Sequence, residues 1–205
     1  MTWDLFMAAF VTLFVVIDPI GLVPFFIGLT SDRSASARRL IALRAVGLSF
    51  VLLAIFTLVG DKILAMIGIG MPAFRIAGGM LLFLIAVDML FERRAERREN
   101  QAGYVERPDP TVFPLTTPLI VGPGAIAAVI LLTGDGAEPW IALGITICAL
   151  VTVLVVALSL FLISGGIARL LGKVGITVMT RLMGMLLAAL AIQFVVDGIK
   201  GSGLI

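Results

Sequence analysis

The chain has no histidine and a single cysteine, Cys148, set inside an apolar run. A donor set this poor argues against zinc, haem and iron–sulfur chemistry. A lone cysteine cannot form an intramolecular disulfide, so Cys148 reads as a small core side chain. Charge is scarce as well: Asp, Glu, Lys and Arg make up 14% of the 205 residues, against about a quarter in a soluble domain. No G-x-S-x-G, H-E-x-x-H or P-loop lysine occurs, so no catalytic residue, cofactor or metal site is assigned and an enzyme is not expected. An ATP-driven pump would need a partner to supply the nucleotide domain.

What is present is hydrophobic side chain, 60% of the total, with a mean hydropathy of +1.18. An excess arranged in long runs points to lipid as the solvent. At about 20 residues per crossing, there is room for about six or seven crossings and no sizeable soluble domain. The pI of 9.1 comes from few arginines. They cluster in loops, where they signal topology rather than contact with nucleic acid. Met1-Thr2-Trp3-Asp4 lacks a basic signal-peptide start, and the first apolar stretch is expected to be retained as a span.

Six runs follow one another. The first extends from about Leu5 to Leu29, interrupted at Asp18-Pro19-Ile20-Gly21 and again at Pro24. The second, Leu40 to Val59, ends at Gly60-Asp61-Lys62; Ile63 to Gly70 is too short to span. The third is Met71 to Phe91. A hydrophilic loop from Glu92 to Asp109 mixes five arginines with five acids and reads as a solvated connector. The fourth run, Thr111 to Leu132, is interrupted around Pro118 and Gly122-Pro123-Gly124. After an acidic turn, Asp135 to Pro139, come the fifth, Trp140 to Ile163, and the last, Ile176 to Ile199. If the first loop is cytoplasmic, that side holds 11 of the basic loop residues and the other side holds 2, Lys62 and Lys200. The positive-inside rule then puts both termini away from the cytoplasm.

The halves echo each other at an offset of about 105. Pro19 aligns with Pro123, and Phe74-Arg75-Ile76-Ala77-Gly78 parallels Thr180-Arg181-Leu182-Met183-Gly184. Each half has three spans, an odd number, so the second half enters the membrane from the opposite side. The expected fold is therefore an all-α membrane protein with six transmembrane helices. Two inverted-topology three-helix repeats, 1–91 and 111–205, flank a cytoplasmic loop at 92–110, and the first and fourth helices are broken. In that architecture the site lies near the midplane, at the paired breaks.

Asp18 is the most informative residue. A carboxylate inside an apolar run costs about 2.5–3.5 kcal/mol unless paired or wet. Pro19 frees the carbonyls before it and starts a new half-helix whose N–H groups point at the break. Together with Gly21 and Pro24, this set suits a small zwitterion, with Asp18 taking an ammonium or a coupling cation and the helix N–H groups a carboxylate; the alternative, compatible with it, is that Asp18 serves only as the N-cap. If protons are coupled, Asp18 is the mid-span acid available to carry one. Gly122, Pro123 and Gly124 supply backbone donors on the facing side, with hydroxyls from Thr116 and Thr117. Close packing through small residues would account for the same glycines. Arg75, Arg181 and Gln193 are candidates for gating or pairing, and Asp88 and Asp197 are expected at the interface. Expected partners are a small solute, the bilayer, a coupling proton or sodium ion and, through glycine-lined helices, a second copy.

Asp18-Pro-Ile-Gly-Leu-Val-Pro24, Phe74-Arg-Ile-Ala-Gly-Gly79, Pro118 with Gly122-Pro-Gly124, and Thr180-Arg-Leu-Met-Gly184 resemble, in order, the motifs of the MarC family of six-span bacterial inner-membrane proteins. The resemblance covers nearly the whole chain. It implies a plasma-membrane protein of a kind often described as a neutral amino acid transporter. The expectation is a secondary transporter or exporter of solutes such as glycine and alanine, working by alternating access. The alternative is a channel or efflux permease for another small solute or ion.

Overall fold

Lipid offers the backbone no hydrogen-bond partners, so each apolar run must close its bonds within itself. The computed structural model describes residues 2–94, 98, 109–133 and 139–203, with the side chains at 168, 169, 171 and 173 left aside. Among the described residues every element is helical. The helices are α1 (Thr2–Ile17), α2 (Pro19–Leu29), α3 (Ala35–Ile67), α4 (Met71–Leu90), α5 (Thr111–Ile120), α6 (Pro123–Thr133), α7 (Pro139–Leu162) and α8 (Ser164–Gly201). Five spans are long and apolar enough to cross a bilayer, and the bent pair α5–α6 makes a sixth. The acidic turn at 135–138, most of the 92–109 loop and the side chains of Arg169 and Lys173 lie outside the described residues.

The two interrupted runs differ. α1 and α2 continue as one 28-residue span despite the interruption at Asp18, whereas α5 and α6 meet at 54°. Prolines explain the difference. α5 contains Pro114 and Pro118, and the backbone leaves helical values at Phe113 and Thr117. Wide turns close it instead: the Leu115 N–H donates to Pro110 O and the Val121 N–H to Thr116 O. The Thr116 hydroxyl donates to Thr111 O and also to Ala45 O of α3, tying the irregular coil to its neighbour.

Two expected boundaries move. α3 runs straight through Gly60-Asp61-Lys62 to Ile67, where Gly68 caps it at φ 81°. Gly60 is a packing residue and not a stop: a Cβ there would lie 2.5 Å from Ile130 of α6. The weakly polar connector after α7 is helical from Ser164, and the chain bends at Gly172 (φ 60°, ψ 179°), a conformation essentially restricted to glycine.

Burial separates inner from outer elements. In the most apolar stretch of the α1–α2 span, 61% of residues are buried, against 28–33% in α3, α4, α7 and α8. Seven of the 11 residues of α6 are buried too. The two interrupted spans therefore form the centre, and the other four carry lipid-facing side chains such as Ile55, Leu84, Val155 and Leu186; Cys148, expected in the core, is exposed on α7 because it falls on that helix's outer face. Near the end of the centre, Phe26 of α2 stacks on Phe161 of α7 at 4.6 Å.

α4 and α8 pack antiparallel through glycine. A Cβ at Gly79 would come within 2.8 Å of Ala191 O and Val195; one at Gly184, within 2.9 Å of Met89; one at Gly198, within 2.8 Å of Pro72 O. These contacts recur in reciprocal pairs. Arg75 stands against Gly198, and Arg181 pairs with Glu92. Arg75 and Arg181 are 106 residues apart, and so are Glu92 and Gly198. Other pairs correspond as well: α1 packs on α7 as α5 and α6 pack on α3, and α2 on α8 as α6 on α4.

Candidate functional site

Proline at position 19 disfavours right-handed helix at the residue before it. Asp18 accordingly adopts φ 56°, ψ 63°, the left-handed region that Asp tolerates better than most residues. Its carboxylate turns forward and accepts from the Gly21 N–H at 3.1 Å, capping α2. Gly21 is required for this: a Cβ there would sit 2.1 Å from Oδ2. The cap alone would leave a buried anion, since Asp18 is 1% exposed.

The countercharge comes from the loop. Arg98 Nη1 donates to Asp18 Oδ2 at 3.1 Å and Nη2 to Ile17 O at 3.3 Å. The guanidinium lies over the Phe25 ring. Arg94 donates to Val16 O and to the Met89 sulfur. The carbonyls that Pro19 frees at the end of α1 are thus held by two arginines, which also suit the negative end of that helix. Burial lowers the Arg98 guanidinium below its ordinary value, and the Asp18 charge and hydrogen bond oppose this; an arginine stays protonated throughout. The loop reading is therefore corrected: Arg94 and Arg98 reach into the bundle. Their signal in the sequence was an i, i+4 spacing, which puts both on one face of a helical turn.

A cavity of about 200 Å³ lies beside these arginines. Val16, Ile85, Asp88, Arg94 and Arg98 line one part, and Pro118 to Ile120 with Gly122 to Ala125 line the rest. Gly124 lets the amino end of α6 close in: a Cβ there would meet Ile85 at 2.4 Å. The level of the cavity is that of Ile85 and Asp88, in the last turns of α4 and not at its middle.

Of the residues singled out from the sequence, Gly122, Pro123 and Gly124 form cavity wall. Asp18, Pro19 and Gly21 are buried behind Arg98. Pro24 and Thr117 are exposed and outside the cavity, and Thr116 is engaged in structure. Arg75 and Arg181 sit at opposite ends of the α4/α8 pair, and Arg181 is exposed beside Glu92. Gln193 donates to Asp197 on the surface of α8 and does not reach the cavity. Asp88, near the end of its span as expected, lines the cavity. At the start of α5, the Thr111 hydroxyl and backbone N–H hold the Asp109 carboxyl below its ordinary value.

The sequence model described as "MarC family integral membrane protein" matches residues 3–202. A UPF0056 membrane protein of Archaeoglobus fulgidus is 38% identical, covering 95% of this chain and 92% of its own length. YhcE of Escherichia coli is 37% identical over 94% and 90%, and YvbG of Bacillus subtilis 36% over 98% and 97%; both are named UPF0056 membrane proteins. No solved structure matches.

Proposed function

Because the chain belongs to the MarC family of integral membrane proteins, we propose that it carries small neutral solutes, amino acids such as glycine and alanine, across the plasma membrane as a secondary transporter. The observation that carries this reading is the cavity beside the second break, with charged groups inside an otherwise apolar bundle. Such groups in a membrane interior mark solute paths. At about 200 Å³, the cavity falls below the range of roughly 300–1,000 Å³ typical of drug-sized ligands, which suits a solute of a few heavy atoms.

Alternating access needs two halves that can exchange roles. The reciprocal α4/α8 contacts support an inverted repeat, and the unequal bends at the two breaks fit one half being open and the other closed. The charge bias of the loops favours both termini on the non-cytoplasmic side, with the cavity nearer the cytoplasm. A coupling proton or sodium ion entering the cavity would meet the carboxylate of Asp88.

Counterflow of labelled glycine and alanine into proteoliposomes tests this. Uptake above that of empty vesicles is expected, and it falls in Asp18→Asn because Arg98 loses its anchor. No flux of any amino acid would overturn the substrate class. Equal flux in both proteins would overturn the assigned site.

A further inference from the structure

The charges around the cavity specify more than a polar solute. Arg94 and Arg98 both line it, Asp88 lines it, and Asp18 stands behind Arg98. Among the described residues, the formal charges of these four sum to zero. The amino end of α6 adds a partial positive charge, and Gly122, Gly124 and Ala125 face the cavity. α6 has 11 residues, and its first bond within the helix from this end is Ile126 N–H to Gly122 O. The N–H groups of Gly124 and Ala125 come before it and have no acceptor inside the helix.

Arg98 has capacity left as well. Each of its Nη atoms bears two hydrogens; Asp18 and Ile17 accept from one Nη each. Arg98 is buried, with a relative exposure of 5%, so a second acceptor would meet its guanidinium in a low-dielectric setting, where charge-assisted bonds are strong.

We infer that this cavity is a carboxylate site. Arg94, Arg98 and the amino end of α6 hold the carboxylate of a small zwitterion, Asp88 faces its ammonium, and Asp18 is a positioning residue that keeps Arg98 in the wall. The assignment rests on the transport reading only for the step from binding to passage. It moves the ammonium from Asp18, where the sequence reading put it, to Asp88, and adds two arginines to the helix N–H groups that face the carboxylate. A zwitterion leaves the local sum at zero. A dianion such as phosphate leaves it negative, and a lone cation would face two guanidiniums.

Equilibrium binding to the purified full chain tests this, with labelled glycine as probe and acetate, ethanolamine and inorganic phosphate as competitors. Glycine binds, acetate displaces it, and ethanolamine does not. Arg94→Gln weakens glycine binding by roughly 10–100-fold, the loss of one charged hydrogen bond. The double variant Asp18→Asn/Arg98→Gln removes the buried pair without stranding a charge; if it elutes as folded protein, its glycine affinity drops at least as far. Displacement by ethanolamine and not acetate would overturn the assignment, as would phosphate outcompeting acetate, or full affinity in Arg94→Gln. Vesicle flux separates the two readings. Uptake of amino acids that acetate leaves untouched would overturn the carboxylate site and keep transport; acetate-sensitive glycine binding without flux would keep the site and overturn transport.

Discussion

Breaking the Asp18–Arg98 pair one side at a time should cost far more than removing it whole. Asp18→Asn keeps the cap, since Asn also caps helices and tolerates the left-handed backbone; it removes only the charge. Arg98→Gln keeps a donor and removes the opposite charge. The two side chains are 1% and 7% exposed and 3.1 Å apart, so each single change strands a buried charge. The expected cost is about 3–5 kcal/mol per single variant. The double variant strands none and should recover about 3 kcal/mol or more of the sum. For a chain of this size that recovery corresponds to roughly 6–12 °C in Tm. A double-mutant cycle read by thermal unfolding in detergent measures it. Additive losses in the double variant would refute the reasoning, because the two charges would then have no energetic connection.

Other parts of the bundle make equally definite claims. Gly79→Ala drives a methyl group onto Ala191 O and Val195 at 2.8 Å and should destabilise by about 1–3 kcal/mol; Gly47→Ala, with nothing within 4 Å, should stabilise by up to about 1 kcal/mol from helix propensity. Thermal shifts of the same sign in both would contradict the packing. In a Cys148→Ala background, Ser202→Cys should react with an impermeant maleimide added outside intact cells and Ser34→Cys should not. The opposite labelling would invert the orientation.

Where one physical rule dominates, the sequence was easy to read. Lipid leaves no alternative to helix, so the six spans followed from run lengths, and the two breaks from proline. Boundaries depended on neighbours. Gly60 reads as a terminator in isolation and turns out to make room for Ile130; the same glycine chemistry serves both ends and contacts. Asp18 was recognisable because an acid in an apolar run demands a partner. Which partner was not, since the spans themselves hold Arg75 and Arg181, and nothing local says that Arg98, 80 residues away, folds back. Thr117 and Gln193 show the converse error. Each is polar within a span, yet one faces outward beside a proline kink and the other satisfies Asp197 on its own helix.

The glycine face shared by α4 and α8 also sets an order of assembly. During synthesis α4 emerges about a hundred residues before the helix that covers it, and its buried seam of Gly78 and Gly79 has to wait. Gly78 waits for Leu131 of α6 and Gly79 for Ala191 and Val195 of α8. Until then the first three spans form an unfinished unit whose sticky seam is closely matched by that of another such unit, given the reciprocity of the contacts. Expressed alone, residues 1–91 should therefore pair with themselves, head to tail, with one copy inserted each way up. The tethered second half prevents that pairing by being the nearest partner available, and α8, arriving after the other seven described helices, is the one that locks the bundle.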